Sequence, residues 1–189
     1  VVWNASGGYD GNGSYEFDGA DDYISVDDDS SLEPTNVSAC TWFKNNDETN
    51  HANPYLISKG DETSSNGADL SGYHITLINN DDIRIFIVTG TNTARIASYA
   101  ASLNEAQWYH VCFTYNDPDL VLYLDGVQVA EENSGGAIDY SGDADNFRIG
   151  MSAIRADLEA ARFEGSLDEV LIFNRSLTYQ QVWNLYMNR

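Results

Sequence analysis

Asp18, Asp21 and Asp22, set around Gly19 and Ala20, are the residues of this sequence best suited to hold a hard cation. Carboxylate oxygens on a turn, with a glycine that lets backbone carbonyls approach, are what calcium takes, although the spacing is not that of a helix–loop–helix calcium loop. A solvated acidic turn uses the same residues, and Asp27, Asp28 and Asp29 read as such a turn. Glu16 and Asp18 are two apart and share a strand face, so they are the first pair to test for acid–base work. Glycoside hydrolysis needs two carboxyls about 5 Å apart, or roughly 6.5–9.5 Å, across a sugar. The further in-register glutamate of such a pattern is missing, so the chain reads as non-enzymatic. His51, His74 and His110 have no Gly-x-Ser-x-Gly partner, and His110 reads as a packed sheet residue. Tyr73, Tyr99 and Tyr140 lie outside the obvious core phase and are candidates for stacking on sugar faces.

The elements that must position these residues are short. Alternating segments punctuated by Gly, Asn and Asp predict strands over 14–18, 22–26, 36–44, 55–59, 72–78, 82–88, 95–99, 107–115, 120–124, 127–130, 147–150 and 163–173. Asn80-Asp81 and Asp125-Gly126 fall between strand pairs and predict tight hairpins. Trp42, Trp108, Phe113, Phe147 and Phe173 sit in the strongest strands and read as core. Only the tail reads as helix: Thr178 with Gln181 makes a capping box, and Leu177 with Val182 a hydrophobic staple. Residues 60–71 predict a long polar loop and 152–162 a second loop or helical turn.

The 189 residues fit one domain, with 30 acidic side chains against 9 basic for a net charge of −21. That field repels phosphate and the arginines are scattered, which sets aside nucleic acid and anionic lipid as partners. No apolar run is long enough for direct membrane insertion. The start, Val1-Val2-Trp3, reads as a mature or excised piece. Four sequons, at Asn4, Asn12, Asn36 and Asn174, point to an extracellular or cell-surface setting where glycosylation is possible. Cys40 and Cys112 sit centrally in two strands, either as a disulfide or as two buried thiols.

Tyr15-Glu-Phe-Asp-Gly-Ala-Asp-Asp-Tyr-Ile-Ser-Val26, Val37-Ser-Ala-Cys-Thr-Trp-Phe-Lys44, Trp108-Tyr-His-Val-Cys-Phe-Thr-Tyr115, Leu122-Tyr-Leu-Asp-Gly-Val127 and the run from Phe163 to Leu177 occur in an order that resembles the laminin G-like, concanavalin A-like superfamily. The resemblance implies an all-β fold, a two-sheet antiparallel jelly-roll sandwich with a short C-terminal helix, spanning 1–189 as one module of a larger extracellular protein. It further implies that Cys40 and Cys112 pair as the cysteines of pentraxins do. A structural calcium would tie an N-terminal turn to a last-strand aspartate, which here looks like Asp168, giving the set Asp18, Gly19, Asp21 and Asp168. Pentraxin-like ligand binding would use Asp61, Glu62, Asn66 and Asp69 with Asp157, although the acidic run that pentraxins carry on the later loop is missing. The expected function is a calcium-stabilised carbohydrate-binding or adhesion module whose partner is a glycan or cell-surface glycoprotein. The alternatives are a structural or protein-interaction module of a surface filament, appendage or spike, contacting neighbouring domains or subunits, and a glycoside hydrolase.

Overall fold

The computed structural model describes residues 1–46, 53–60, 71–79, 81–90, 93–141, 146–152 and 161–188. Its strands in chain order are β1 (Val2–Asn4), β2 (Ser14–Asp18), β3 (Ile24–Val26), β4 (Val37–Asn45), β5 (Tyr55–Lys59), β6 (Tyr73–Ile78), β7 (Asp82–Thr89), β8 (Thr93–Ala100), β9 (Trp108–Asn116), β10 (Asp119–Leu124), β11 (Val127–Glu132), β12 (Phe147–Ile149) and β13 (Glu164–Phe173), followed by α1 (Tyr179–Met187). They form a seven-stranded sheet, β1-β2-β13-β4-β9-β10-β11, and a six-stranded sheet, β3-β12-β5-β6-β7-β8. Every strand pairing is antiparallel among the described residues. This is the jelly-roll sandwich the sequence predicts, and β1 is the strand it does not reveal.

Period-two alternation explains the layering. Phe43, Val111, Phe113 and Leu122 point from the seven-stranded sheet into the core, where they meet Ile75 and Ile85 of the other sheet. The intervening residues of the same strands point the opposite way, so Cys40 and Cys112 lie beneath the helix with Tyr123, Leu177 and Val182. The two cysteines occupy directly opposed positions on β4 and β9 and are disulfide-bonded. Helix α1 carries the expected capping box between Thr178 and Gln181. Asp125 and Gly126 both take positive φ, and a side chain at Gly126 would run into Trp183 and Tyr186. The hairpin turn is therefore also the seat of the helix.

Of the residues read as core, Phe113 and Phe147 are in it. Trp42 is buried on the other face of its sheet, between Tyr9 and Tyr186. Phe173 packs beneath the helix, and Trp108 is half-buried with Lys44 over its ring. A fully buried Lys59 is neutralised by Asp28 at 2.8 Å and Glu33 at 3.5 Å. Asp28, at the surface in the acidic 27–29 turn, thus supplies a counter-charge to a buried lysine.

Candidate functional site

At the open side of the sandwich β1 and β3, the outermost strands of the two sheets, leave a cleft. It is lined by Trp3, Tyr15 and Phe17 on one wall, Ile24 and Ile149 on the other, and Leu167 to Val170 along β13, and encloses about 340 Å³. Tyr15 alternates in phase with the core residue Phe17, and Trp3 is its register partner. Both nevertheless remain 44% and 53% exposed. Their ring centroids lie 5.0 Å apart at 58°. Gly13, at φ +125°, passes so close beneath Trp3 that any side chain there would collide with the indole. The ring is held from below by backbone.

The acidic rim comes from a β-bulge. Asp168 pairs with Trp42 and Leu171 with Cys40, so β13 carries one extra residue over this stretch. Glu169 takes φ +49°, and both Leu167 and Val170 still face the core. A bulge re-aims side chains in this way, and here it brings Asp168 and Glu169 together at the mouth of the cleft. Burial raises both carboxyls above their ordinary values, and the charge of Asp10 adds to it in each. Asp168 is partly compensated by the N–H groups of Tyr9 and Glu169, which donate to its two oxygens at 3.2 and 2.8 Å.

The expected calcium set does not assemble. Asp18, Asp21 and Asp22 do converge, their carboxylate oxygens lying within 4.8 Å of one another. Asp168 is elsewhere: Asp18 pairs with Glu164, four residues earlier on β13, which places Asp168 roughly 13 Å along the strand. The N-terminal turn that Asp168 touches is the Gly7–Gly13 loop, through Tyr9. The Asp18 turn has meanwhile satisfied itself. Asp18 accepts the N–H groups of Ala20 and Asp21 at 2.8 and 3.2 Å, bonds that lower its pKa, and Asp22 accepts that of Asp18.

Tyr73 is a correction: it is a fully buried core residue whose hydroxyl donates to the Leu32 carbonyl. It shares the inward phase of Ile75 and Leu77, so its face is closed to a sugar. Tyr140 is half-buried, edge-on to Tyr73, with its hydroxyl on the Pro34 carbonyl. Tyr99 is 36% exposed on β8, away from the cleft. His51, Asp61, Glu62, Asn66, Asp69, Asn80 and Asp157 lie outside the described residues. Among the sequons, Asn12 and Asn174 are exposed, Asn36 is half-buried, and the Asn4 amide donates to Glu16 at 2.7 Å. Trp3, Tyr15 and Glu169 are the site residues that sequence reasoning missed. Tyr15 shares the phase of the core residue Phe17, yet it lies open in the cleft.

A family model described as the concanavalin A-like lectin/glucanases superfamily matches residues 18–183. No curated protein matches the chain in sequence. Among solved structures, domain 4 of AbnA, an extracellular arabinanase from Geobacillus stearothermophilus, in complex with arabinotriose, superposes with a TM-score of 0.72 at 18% identity, over 99% of this chain and 81% of that one. A CBM40 of the Ruminococcus gnavus IT-sialidase, bound to α2,3 sialyllactose, gives 0.71 at 14% identity, over 92% and 96%. A heptameric SAP-like pentraxin from Limulus polyphemus gives 0.63 at 15%, over 90% and 80%. At these identities the likeness is one of fold.

Proposed function

The chain belongs to the concanavalin A-like lectin/glucanases superfamily, and from that premise we propose that it is a non-enzymatic carbohydrate-binding module of a secreted or surface protein, with the Trp3–Tyr15 cleft as its sugar site. The observation that carries this reading is the pair of exposed aromatic rings beside two carboxylates in one cleft. A ring face matches the C–H face of a sugar while carboxylates accept from its hydroxyls, and a cleft of this volume is at the small end of ligand sites. The fold neighbours in complex with arabinotriose and bound to sialyllactose support a sugar as the ligand class. Disulfide bonding of Cys40 to Cys112 supports an oxidising, extracellular setting. A binding rather than a catalytic role is supported by Glu16, whose carboxylate takes the Asn4 amide, and by Asp18, which caps its own turn.

We assign calcium to the Asp168 side of the site, where two carboxyls are partly desolvated, and not to the Asp18 turn, whose oxygens converge within 4.8 Å but already accept backbone N–H groups. Asp168 and Glu169 supply hard oxygen donors that are partly desolvated and lie in the field of the exposed Asp10, the situation a divalent cation relieves. The ion would neutralise them and fasten the Gly7–Gly13 loop to β13. That role is structural and leaves sugar stacking to Trp3 and Tyr15.

The test is a glycan array probed with the protein and with Trp3→Ala, in calcium and in EDTA. Binding of a defined sugar that is lost in Trp3→Ala while the fold is retained supports the cleft. Sugar binding indifferent to Trp3 moves the site. The exposed Val1, Val2, Tyr23 and Val26 around the same edge favour a protein-contact module if no sugar binds in either buffer.

A further inference from the structure

Four strands end the two sheets: β1 and β11 in the seven-stranded sheet, β3 and β8 in the six-stranded one. An edge strand presents unpaired N–H and C=O groups to any extended chain that reaches it, and natural proteins guard it by shortness, charge or a bulge. Three of the four are guarded. β1 and β3 are three residues each, and β3 runs into the acidic turn of Asp27, Asp28 and Asp29. β11 ends in Glu131 and Glu132, and a bulge breaks its pairing with β10, leaving Val129 without a register partner.

β8 has none of these devices. Its eight residues, Thr93-Ala-Arg-Ile-Ala-Ser-Tyr-Ala100, pair one for one with β7 and without a bulge, from Thr89↔Thr93 to Asp82↔Ala100. Thirty of the 189 residues are acidic, and none of these is in β8. Its one charged side chain, Arg95, serves the molecule itself, donating to Thr89 Oγ1 at 3.1 Å, Ser134 Oγ at 2.9 Å and the Gly135 carbonyl at 3.4 Å. One strand in, Asp82 beside Ala100 and Arg84 beside Ser98 offset each other. Ser98, Tyr99 and Ala100 are exposed in succession and Ile96 is 42% exposed, so this stretch of the edge is open. β11 approaches β8 from the other sheet, and among the described residues β8 makes no main-chain hydrogen bond beyond β7.

We propose that β8 pairs antiparallel with the β8 of a second copy about a two-fold axis, joining the two six-stranded sheets edge to edge. A strand paired antiparallel with itself is self-complementary, as a two-fold contact requires. With the axis at Ile96, that side chain meets its own counterpart, Ala94 stands opposite Ser98 and Arg95 opposite Ala97, so no charge faces a like charge. Electrostatics favour a second copy at this edge: each molecule carries −21, and β8 lets two of them approach to strand spacing without setting carboxylate against carboxylate. The Trp3 cleft lies between β1 and β3, at the opposite end of both sheets, so pairing leaves both clefts open and presents two in one assembly. Two paired strands make a small interface, below the roughly 1,200 Å² of stable complexes, so the dimer is weak and concentration-dependent.

Sedimentation velocity of the whole chain from about 10 to 500 µM, in 50 mM and in 0.5 M sodium chloride, tests it. A monomer–dimer equilibrium is expected, and association strengthens at least fivefold in the higher salt because screening removes the repulsion between like-charged copies. Ile96→Lys and Ile96→Glu, each shown to be folded by thermal melt, weaken dimerisation tenfold or more on their own, and an equimolar mixture of the two recovers it as a mixed dimer. Val26→Lys, at an exposed position of the other edge, β3, leaves the dimer unchanged. The proposal is overturned if the chain stays monomeric to 500 µM in 0.5 M salt, if the folded Ile96 variants dimerise within twofold of the parent, or if Val26→Lys disrupts the dimer as much as Ile96→Lys does. A mixture of the two Ile96 variants that stays monomeric overturns the two-fold pairing as well.

Discussion

His110 shows how far a single residue can be pushed by its surroundings. Its ring lies against Trp42 and Tyr186, and burial lowers its pKa from 6.5 to about 4. A histidine kept neutral in the fold takes up its proton more readily when unfolded, so its contribution to stability is complete above pH 6.5 and is lost as pH falls from 6.5 to about 4. The loss is on the order of 3 kcal/mol by the usual conversion of a pKa shift. Denaturant unfolding at pH 7 and pH 4.5 should show it, with the difference between the parent and His110→Phe isolating this group from carboxyls such as Asp168, whose raised pKa acts in the opposite sense. A pH slope equal in the two proteins would remove His110 as its cause. Gly13→Ala makes the complementary prediction. It should displace Trp3 and weaken cleft binding tenfold or more, as read by titration with the sugar found on the array, while near-parental far-UV circular dichroism shows the sandwich intact. Tyr73 and Tyr15 mark what single residues disclose. The inward phase of Tyr73 is readable from Ile75 and Leu77, whereas Tyr15 has the phase of Phe17 and is exposed beside the edge strand β1, a position in the sheet that no local pattern encodes.

Among the elements, α1 is tied to the sheet by a short list of contacts that can be cut one at a time. Removing the Thr178 hydroxyl deletes one half of the capping box, so Thr178→Ala should cost about 1 kcal/mol in urea unfolding. Because Tyr186 packs on Trp42 and Val182 on the cysteine cluster, near-ultraviolet circular dichroism should weaken with it if the helix frays. The helix, its cap and the Asp125-Gly126 hairpin were legible because each is specified by neighbours in sequence. The strands were found with ends shifted by a residue or two, and β1 escaped because three residues carry too little alternation to register. The bulge at Asp168–Glu169 was invisible for a different reason. It is defined by a count against the partner strand, and the partner of β13 is β4, more than a hundred residues away in the chain. The misplaced calcium set follows from that same blindness to register.

At the scale of the molecule the net charge of −21 works against compactness. Screening should therefore stabilise: the melting temperature should rise between 10 and 300 mM sodium chloride, and a flat or falling curve would show that surface repulsion is not limiting. Calcium at low millimolar concentration should raise the melting temperature beyond equal ionic strength of sodium chloride. Asp168→Asn should abolish that increment and Asp18→Asn should retain it; the reverse pattern would return the ion to the Asp18 turn. The whole-molecule reading was the most legible of all, since five segments in the right order suffice for the sandwich and the family.

The two best-placed tryptophans make the protein its own optical gauge. Trp42 is walled in by Tyr9, His110 and Tyr186, so its emission should be blue-shifted and protected from iodide until the helix or the N-terminal loop lets go. Trp3, half in water with a tyrosine beside it, should emit to the red and be quenched freely until something covers the ring. A single fluorescence titration thus separates occupancy of the cleft from loosening of the sandwich, with no label attached.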